Sequence, residues 1–223
     1  MSRQLAFDLP SAEAFRRVDF YPSPANAQAL AAVEAWQDWP GGKLVLVGPE
    51  GAGKTHLTHI WAALSGAEVI SAAKLLEADL HDLAQGPVAI EDADQIAGDR
   101  EAEVALFHLH NLLDGRGLLV TAASSPRDWR LGLPDLLSRM QAAAVAQLEP
   151  PDDLLLSAVL IKLFADRQIV VPPNLIPYLV SRMDRSIAAA REWVKFLDAR
   201  ALALGRPVTR ALAAEVLDLA QAG

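Results

Sequence analysis

The chain has 223 residues, of which 52% are hydrophobic and 22% charged, and its formal net charge is −8 at pH 7. This composition is typical of a globular protein and excludes a largely disordered chain. The acidic balance argues against a protein that binds DNA mainly through a basic surface of its own. The absence of cysteine excludes disulfide bonds and thiolate metal sites.

The N-terminal residues 1–10 have neither the basic and apolar pattern of a secretory signal nor the arginine-rich pattern of a transit peptide. Charged residues, glycine or proline interrupt every apolar run well short of the length of a membrane span. We therefore expect a cytoplasmic protein with no membrane association.

Strand-like and helix-like patterns alternate after an extended tail, residues 1–11. Helical periodicity is found over residues 25–39, 54–64, 74–83 and 102–113. Short apolar runs typical of strands lie at residues 44–47, 68–71, 88–90, 118–121 and 143–148. This alternation predicts an α/β fold, in which helices flank both faces of a parallel sheet.

The pattern changes near Pro150, and everything beyond it is predicted to be helical. The predicted helices cover residues 153–164, 173–182, 186–204 and 209–220. We therefore predict three parts: the tail over residues 1–11, an α/β nucleotide-binding domain over residues 12–150, and a small helical lid domain over residues 151–223.

A glycine-rich loop of the form G-x-x-x-x-G-K-T follows the first predicted strand and precedes a helix. Its residues are Gly48, Pro49, Glu50, Gly51, Ala52, Gly53, Lys54 and Thr55. In such a P-loop, glycines let backbone N–H groups converge on phosphate oxygens, and the helix N-terminus adds its dipole. Lys54 would neutralise phosphates and the Thr55 hydroxyl would ligate Mg²⁺. The sequence therefore predicts a site for ATP or ADP with Mg²⁺.

Two acids end the strand over residues 88–90, at the sheet edge where ligands bind in α/β folds. Glu91 and Asp92 are therefore candidates for the catalytic carboxylates, and Glu91 for the second Mg²⁺ ligand. Their order, Glu before Asp, reverses the commoner order in ATPases, so binding is predicted more firmly than rapid hydrolysis. Thr121 ends the next strand; it either faces the γ-phosphate or is an ordinary β-branched strand residue.

Several short motifs, in order, resemble the AAA+ proteins of the bacterial replication-initiator group. The segment over residues 15–29, with Phe20 and Asn26, is similar to the segment that flanks the adenine in DnaA-like proteins. The P-loop ending through His56 resembles that of the same group, and residues 132–139 resemble its L-x-S-R box. The resemblance implies that Phe20, Asn26 and His56 contribute to nucleotide binding.

The tail carries Gln4, Leu5, Phe7 and Leu9, and resembles the short peptides that dock into the groove of the DNA polymerase sliding clamp. An extended segment with alternating apolar anchors suits such a groove. The alternative is a tail that packs against its own domain.

A clamp-binding tail on a DnaA-like module, with a chain that ends at Gly223 after the lid, resembles the Hda-type family of DnaA-related regulators. The resemblance implies a protein, most often ADP-bound, that sits on DNA-loaded clamps and stimulates DnaA to hydrolyse its ATP. DNA is then contacted only through the clamp. Arg139 would be the arginine finger offered to the partner's nucleotide; its alternative is a surface ion pair.

The lid arginine of this group is replaced by Ala188. Arg185 and Arg191 lie one helical turn to either side, and either or neither substitutes for it. Other functions remain open: another DnaA-like adaptor or helicase-loader ATPase, and a P-loop kinase. A homodimer is a further possibility.

Overall fold

The computed structural model describes residues 16–221 and contains one five-stranded sheet. Every neighbouring pair of strands is parallel, and the spatial order is β2-β3-β4-β1-β5. The strands are β1 (Lys43–Val47), β2 (Glu68–Ser71), β3 (Val88–Glu91), β4 (Leu118–Ala122) and β5 (Ala144–Gln147). The predicted α/β fold with a parallel sheet is confirmed.

The strand order decides which loops meet. Strand β4 lies between β1 and β3, and in register Leu46 is paired with Thr121 while Ile90 is paired with Val120. Because parallel strands end at the same edge of a sheet, the loops after β1, β4 and β3 are neighbours there.

Helices cover both faces of the sheet. They are α1 (Ala27–Glu34), α2 (Lys54–Ser65), α3 (Leu80–Leu83), α4 (Arg100–Leu112) and α5 (Pro134–Ala142). Alternate residues of β1 point to opposite faces, so Leu44 and Leu46 join one apolar core with α1 and α2. Val45 and Val47 join a second core with α3, α4 and α5. Burial on both faces explains why β1 is a continuous apolar run.

The C-terminal helices have an apolar core of their own, which includes Leu156, Phe164, Leu197 and Leu212. They are α6 (Asp153–Asp166), α7 (Leu175–Val180), α8 (Ile187–Leu204) and α9 (Arg210–Gln221). Two caps fix where the first and third of them begin: Asp152 accepts from Leu155 N–H at 2.7 Å, and Ser186 accepts from Ala189 N–H at 3.2 Å. We call these four helices the lid.

Two predicted helices differ from the structure. Instead of one helix over residues 74–83, a 3-10 segment (Ala72–Glu77) is followed by the short α3, because the Asp79 carboxylate caps a new start by accepting from His81 and Asp82 N–H. Helix α1 ends at Glu34, before the predicted end at residue 39. A 3-10 turn follows, and the Trp39 indole donates to the Ala32 carbonyl at 2.7 Å.

The predicted clamp-binding residues Gln4, Leu5, Phe7 and Leu9 lie outside the described residues. Within residues 16–221, no helix combines the length and apolar character needed to cross a membrane.

A buried carboxylate fixes the start of α5. Glu103 on α4 is fully buried, and its Oε1 accepts from the Gly98 and Gly132 N–H groups, both at 2.9 Å. Its Oε2 accepts from Leu133 N–H at 2.7 Å. The carboxylate thereby joins the loop that follows the acids of β3 to the residues that begin α5.

Replacing Glu103 by Gln should lower the free energy of unfolding by about 1 to 3 kcal/mol, because the amide NH₂ can accept no bond and leaves a buried donor unsatisfied. Urea titration measures this. Glu101→Gln, at an exposed position of the same helix, is the control and should change stability by less than about 0.5 kcal/mol. Equal effects of the two substitutions would contradict the assigned contacts.

Candidate nucleotide-binding site

The predicted P-loop curls at the edge of the sheet and opens directly into α2. Gly51 and Gly53 have φ angles of 72° and 107°, a left-handed conformation that favours glycine. Gly53 is the residue before the first turn of α2, so the free N–H groups of that turn face the space above the loop. Gly48 and Ala52 are buried, whereas Pro49 and Glu50 are exposed.

A cavity of about 280 Å³ lies above this loop and is called the phosphate cavity below. Its lining residues come from the loop, from the acidic end of β3 and from the lid: Glu50, Gly51, Gly53, Lys54, Thr55, His56, Asp92, Ile187, Ala188 and Arg191.

Lys54 supplies the positive charge of the phosphate cavity. Its Nζ donates to the carbonyl oxygens of Gly48 at 2.6 Å and Pro49 at 3.1 Å. Burial lowers the pKa of Lys54 from its ordinary value, and the nearby carboxylates, of which Asp92 acts most strongly, partly offset that effect. The ammonium group is thus bound to the P-loop backbone at the phosphate cavity, where the charges of these carboxylates act on it.

The two predicted acids have different surroundings. Asp92 is exposed, has a φ angle of 58° and lines the phosphate cavity. Glu91 is half-buried, and its Oε1 has no hydrogen-bond partner among the residues that the structure describes. A buried carboxylate oxygen left in this way is available to a cation or a water molecule.

Thr121 lies at the end of β4, next to these acids. Its side chain is 1% exposed, and its Oγ1 accepts from Asp92 N–H at 3.1 Å. The hydroxyl therefore holds the backbone of Asp92 in its left-handed conformation, a role that neither sequence alternative for Thr121 included.

Asp94 was missed by the sequence analysis. Its Oδ2 accepts from Ala123 N–H at 2.9 Å, just beyond the end of β4, and its charge acts on Lys54. The available signal was its position two residues beyond Asp92, past the end of an apolar strand.

A second cavity, about 110 Å³ in volume, adjoins the first and shares His56, Ile187 and Arg191 with it. We call it the base cavity. Phe20 and Asn26 are among the residues that line it. Phe20 is buried and meets the His56 ring edge to face, with centroids 5.1 Å apart. Burial lowers the pKa of His56, which favours the neutral ring.

Asn26 shapes the loop that forms this cavity. Its Oδ1 accepts from Ser23 N–H at 2.8 Å, and its Nδ2 donates to the Tyr21 carbonyl at 3.0 Å. Because the amide is buried and engaged on both sides, Asn26 holds Phe20 and Tyr21 in place.

The lid touches the P-loop through the first turn of α8. Ile187 N–H donates to the Gly51 carbonyl at 2.8 Å. A Cβ atom on Gly51 would lie 2.1 Å from Ser186 Oγ. The P-loop therefore needs glycine at this position for two reasons: the positive φ angle, and the close approach of Ser186 at the start of α8.

The structure separates the two candidate lid arginines. Arg191 lines both cavities, and burial lowers its pKa. Arg185 points elsewhere: its guanidinium is 2.6 Å from the Asp153 carboxylate and bonds the Pro151 carbonyl. Ala188 lines the phosphate cavity with a methyl group only.

Arg139 lies in the second half of α5 and lines neither cavity. It is exposed and makes no hydrogen bond or ion pair with the residues described here. The surface ion pair considered as its alternative is thus not found within this part of the chain.

Comparison with solved structures defines the class of fold. Domain III of the Thermotoga maritima replication initiation protein DnaA is similar, with a TM-score of 0.80, 23% identity, and coverage of 92% of this chain and 96% of that chain. AMPPCP-bound DnaA from Aquifex aeolicus gives a TM-score of 0.69 at 16% identity, covering 86% of this chain and 67% of that one.

The Thermotoga maritima RuvB Holliday junction branch migration motor gives a TM-score of 0.69 at 15% identity, covering 93% of this chain and 72% of that one. No protein-family model matches the chain. The fold is that of the AAA+ P-loop proteins. Within that class it is DnaA-like, with the sheet and the lid both included in the match to DnaA domain III.

Replacing Gly51 by Ala should lower the free energy of unfolding by about 1 to 3 kcal/mol, from the left-handed backbone and the clash with Ser186. Adding Ser186→Gly should recover the part due to the clash, and Ser186→Gly alone should cost only a few tenths of a kcal/mol. Chemical denaturation of the four proteins measures this. A double variant no more stable than Gly51→Ala would show that the lid is not seated there.

Proposed function

We propose that the two joined cavities bind ATP or ADP, with the phosphates against the P-loop and the adenine beside Phe20. The observation that carries this proposal is the continuity of the phosphate cavity, which is lined by Lys54 and the first turn of α2, with a second cavity lined by Phe20 and other apolar side chains together with charged ones. Binding of AMPPCP by the similar Aquifex DnaA supports an adenine nucleotide.

The residues around the P-loop also suit the Mg²⁺ that accompanies such a nucleotide. Thr55 and Asp92 line the phosphate cavity, and Glu91, whose Oε1 has no hydrogen-bond partner among residues 16–221, is the last residue of β3, directly before Asp92. Oxygen ligands of this kind are those that Mg²⁺ prefers. The ion would neutralise phosphate charge, and Thr55 with Glu91 or Asp92 would hold it.

The proposed function of the bound nucleotide is regulatory. The left-handed Asp92, held by Thr121, and the reversed order of the acids favour slow hydrolysis at best, because in-line attack by water depends on the position of the carboxylate. Arg191, which lines the phosphate cavity, would be the lid residue that responds to the nucleotide, and Arg185 would not. The protein is then a nucleotide holder whose shape depends on what it holds.

The finer proposal is an Hda-type regulator of replication initiation. Residues 4–9 would bind the sliding clamp, and Arg139 would be offered to the ATP of a neighbouring DnaA molecule. The DnaA-like fold supports this proposal, as does the exposed guanidinium of Arg139, which has no hydrogen bond or ion pair among residues 16–221. A guanidinium keeps its charge and spreads its donors over developing phosphate charge.

Replacing Lys54 by Ala should weaken ADP and ATP binding about 10- to 100-fold, because the phosphates lose a charged hydrogen-bond donor. Isothermal titration calorimetry measures the dissociation constant. Lys74→Ala, at an exposed position away from both cavities, is the matched control. Unchanged affinity in Lys54→Ala would exclude the P-loop as the phosphate site.

Replacing Arg139 by Ala should abolish stimulation of DnaA ATP hydrolysis in an assay with DnaA–ATP, clamp and DNA, while ADP affinity stays unchanged. The control is Arg200→Ala, exposed on α8.

The double variant Gln4→Ala, Leu5→Ala should lose clamp binding and keep nucleotide.

Stimulation that survives Arg139→Ala would exclude the finger. No stimulation by the unchanged protein would favour another DnaA-like adaptor or a helicase loader.

A further inference from the structure

A short segment before α1, residues 16–20, contributes Asp19 and Phe20 to the lining of the base cavity; we call it the strap. Each of three side-chain contacts ties it to a different element. His56 of α2 donates to the Arg16 carbonyl at 3.1 Å, and Arg17 pairs with Glu34 of α1. Asp19 pairs with Lys162 of α6.

The third contact differs from the other two because it joins the α/β part of the chain to the lid. Lys162 Nζ lies 3.2 Å from Asp19 Oδ1 and 2.8 Å from Asp166 Oδ2. Asp166 is one turn along the same helix, so it aligns the ammonium group towards the strap. The hydrogen bond that Lys162 donates to Asp166, and to a smaller extent the one that it donates to Asp19, raises the pKa of Lys162, which stays charged at neutral pH.

All three of these charged residues line the base cavity. The lining of the cavity includes Asp19 and Phe20 of the strap and Leu155 and Val159 of α6. The strap and α6 thus both contribute to the lining, and the cavity widens if they separate. Separation extends the Asp19–Lys162 distance, whereas the Lys162–Asp166 pair, within one helix, is unaffected.

We propose that the Asp19–Lys162 pair is a clasp that closes the base cavity over a bound adenine nucleotide and slows its departure. This proposal rests on the nucleotide binding proposed above and adds that the clasp lowers the dissociation rate of the bound nucleotide. The clasp is partly exposed, with side-chain exposures of 21% for Asp19 and 43% for Lys162. Solvent therefore screens the attraction between the two charges, and this attraction weakens further as the salt concentration rises.

The test is the dissociation rate of N-methylanthraniloyl-ADP, chased with excess ADP in a stopped-flow fluorimeter. Lys162→Ala and Asp19→Asn should each raise the rate about two- to fivefold. The double variant should be no faster than the faster single variant, because both changes remove one interaction. Raising the ionic strength should speed release more in the unchanged protein than in the variants.

Arg167→Ala is the matched control. It removes an exposed pair, with Asp198, that joins α6 to α8 inside the lid and lines neither cavity. Its release rate should equal that of the unchanged protein. Tight ADP binding with unaltered release in both single variants, or multiplied effects in the double variant, would overturn the clasp alone. An unchanged protein that binds no ADP would overturn the nucleotide site and the clasp together.

Discussion

The order of the parallel strands is the constraint on which the site depends. Since β4 separates β1 from β3, the P-loop, Thr121 and the acids of β3 are carried to one edge by three adjacent strands. Burial of β1 and β4 on both faces fixes these strands, so the loops at their ends start from rigid positions. The loops that line the phosphate cavity therefore start from buried strands at the centre of the sheet.

The lid helices contribute part of the lining of both cavities. The bond from Ile187 N–H to the Gly51 carbonyl seats α8 on the P-loop, and Arg191, one turn further along, reaches both cavities. The lid has an apolar core of its own, separate from the two cores on the faces of the sheet. The contacts at the phosphate end and the clasp at the base end lie on different lid helices. A nucleotide bound between them, as proposed above, would contact both lid helices, and a change of nucleotide would then act on the lid.

Features set by local sequence were predictable. The P-loop, the five strands and the acids after β3 follow from runs of neighbouring residues, and the structure places them as expected. Features that depend on distant contacts were not. Nothing near Lys162 indicates that it meets Asp19, and the helical spacing of Arg185 and Arg191 could not decide which one faces the cavity. The prediction of one helix over residues 74–83 was wrong for a local reason. The Asp79 carboxylate accepts hydrogen bonds from backbone N–H groups, and a new helix begins there.

Arg139 and the nucleotide site are far apart in the chain, but Glu103 connects the elements that carry them. Its carboxylate accepts from Gly98, which follows the acids of β3, and from Gly132 and Leu133, which begin the helix of Arg139. A buried carboxylate cannot release one of these donors without leaving polar groups unsatisfied in a dry environment. The two loops are therefore constrained to shift together. A displacement of the acids of β3 would then be transmitted to the start of α5, the helix that carries Arg139.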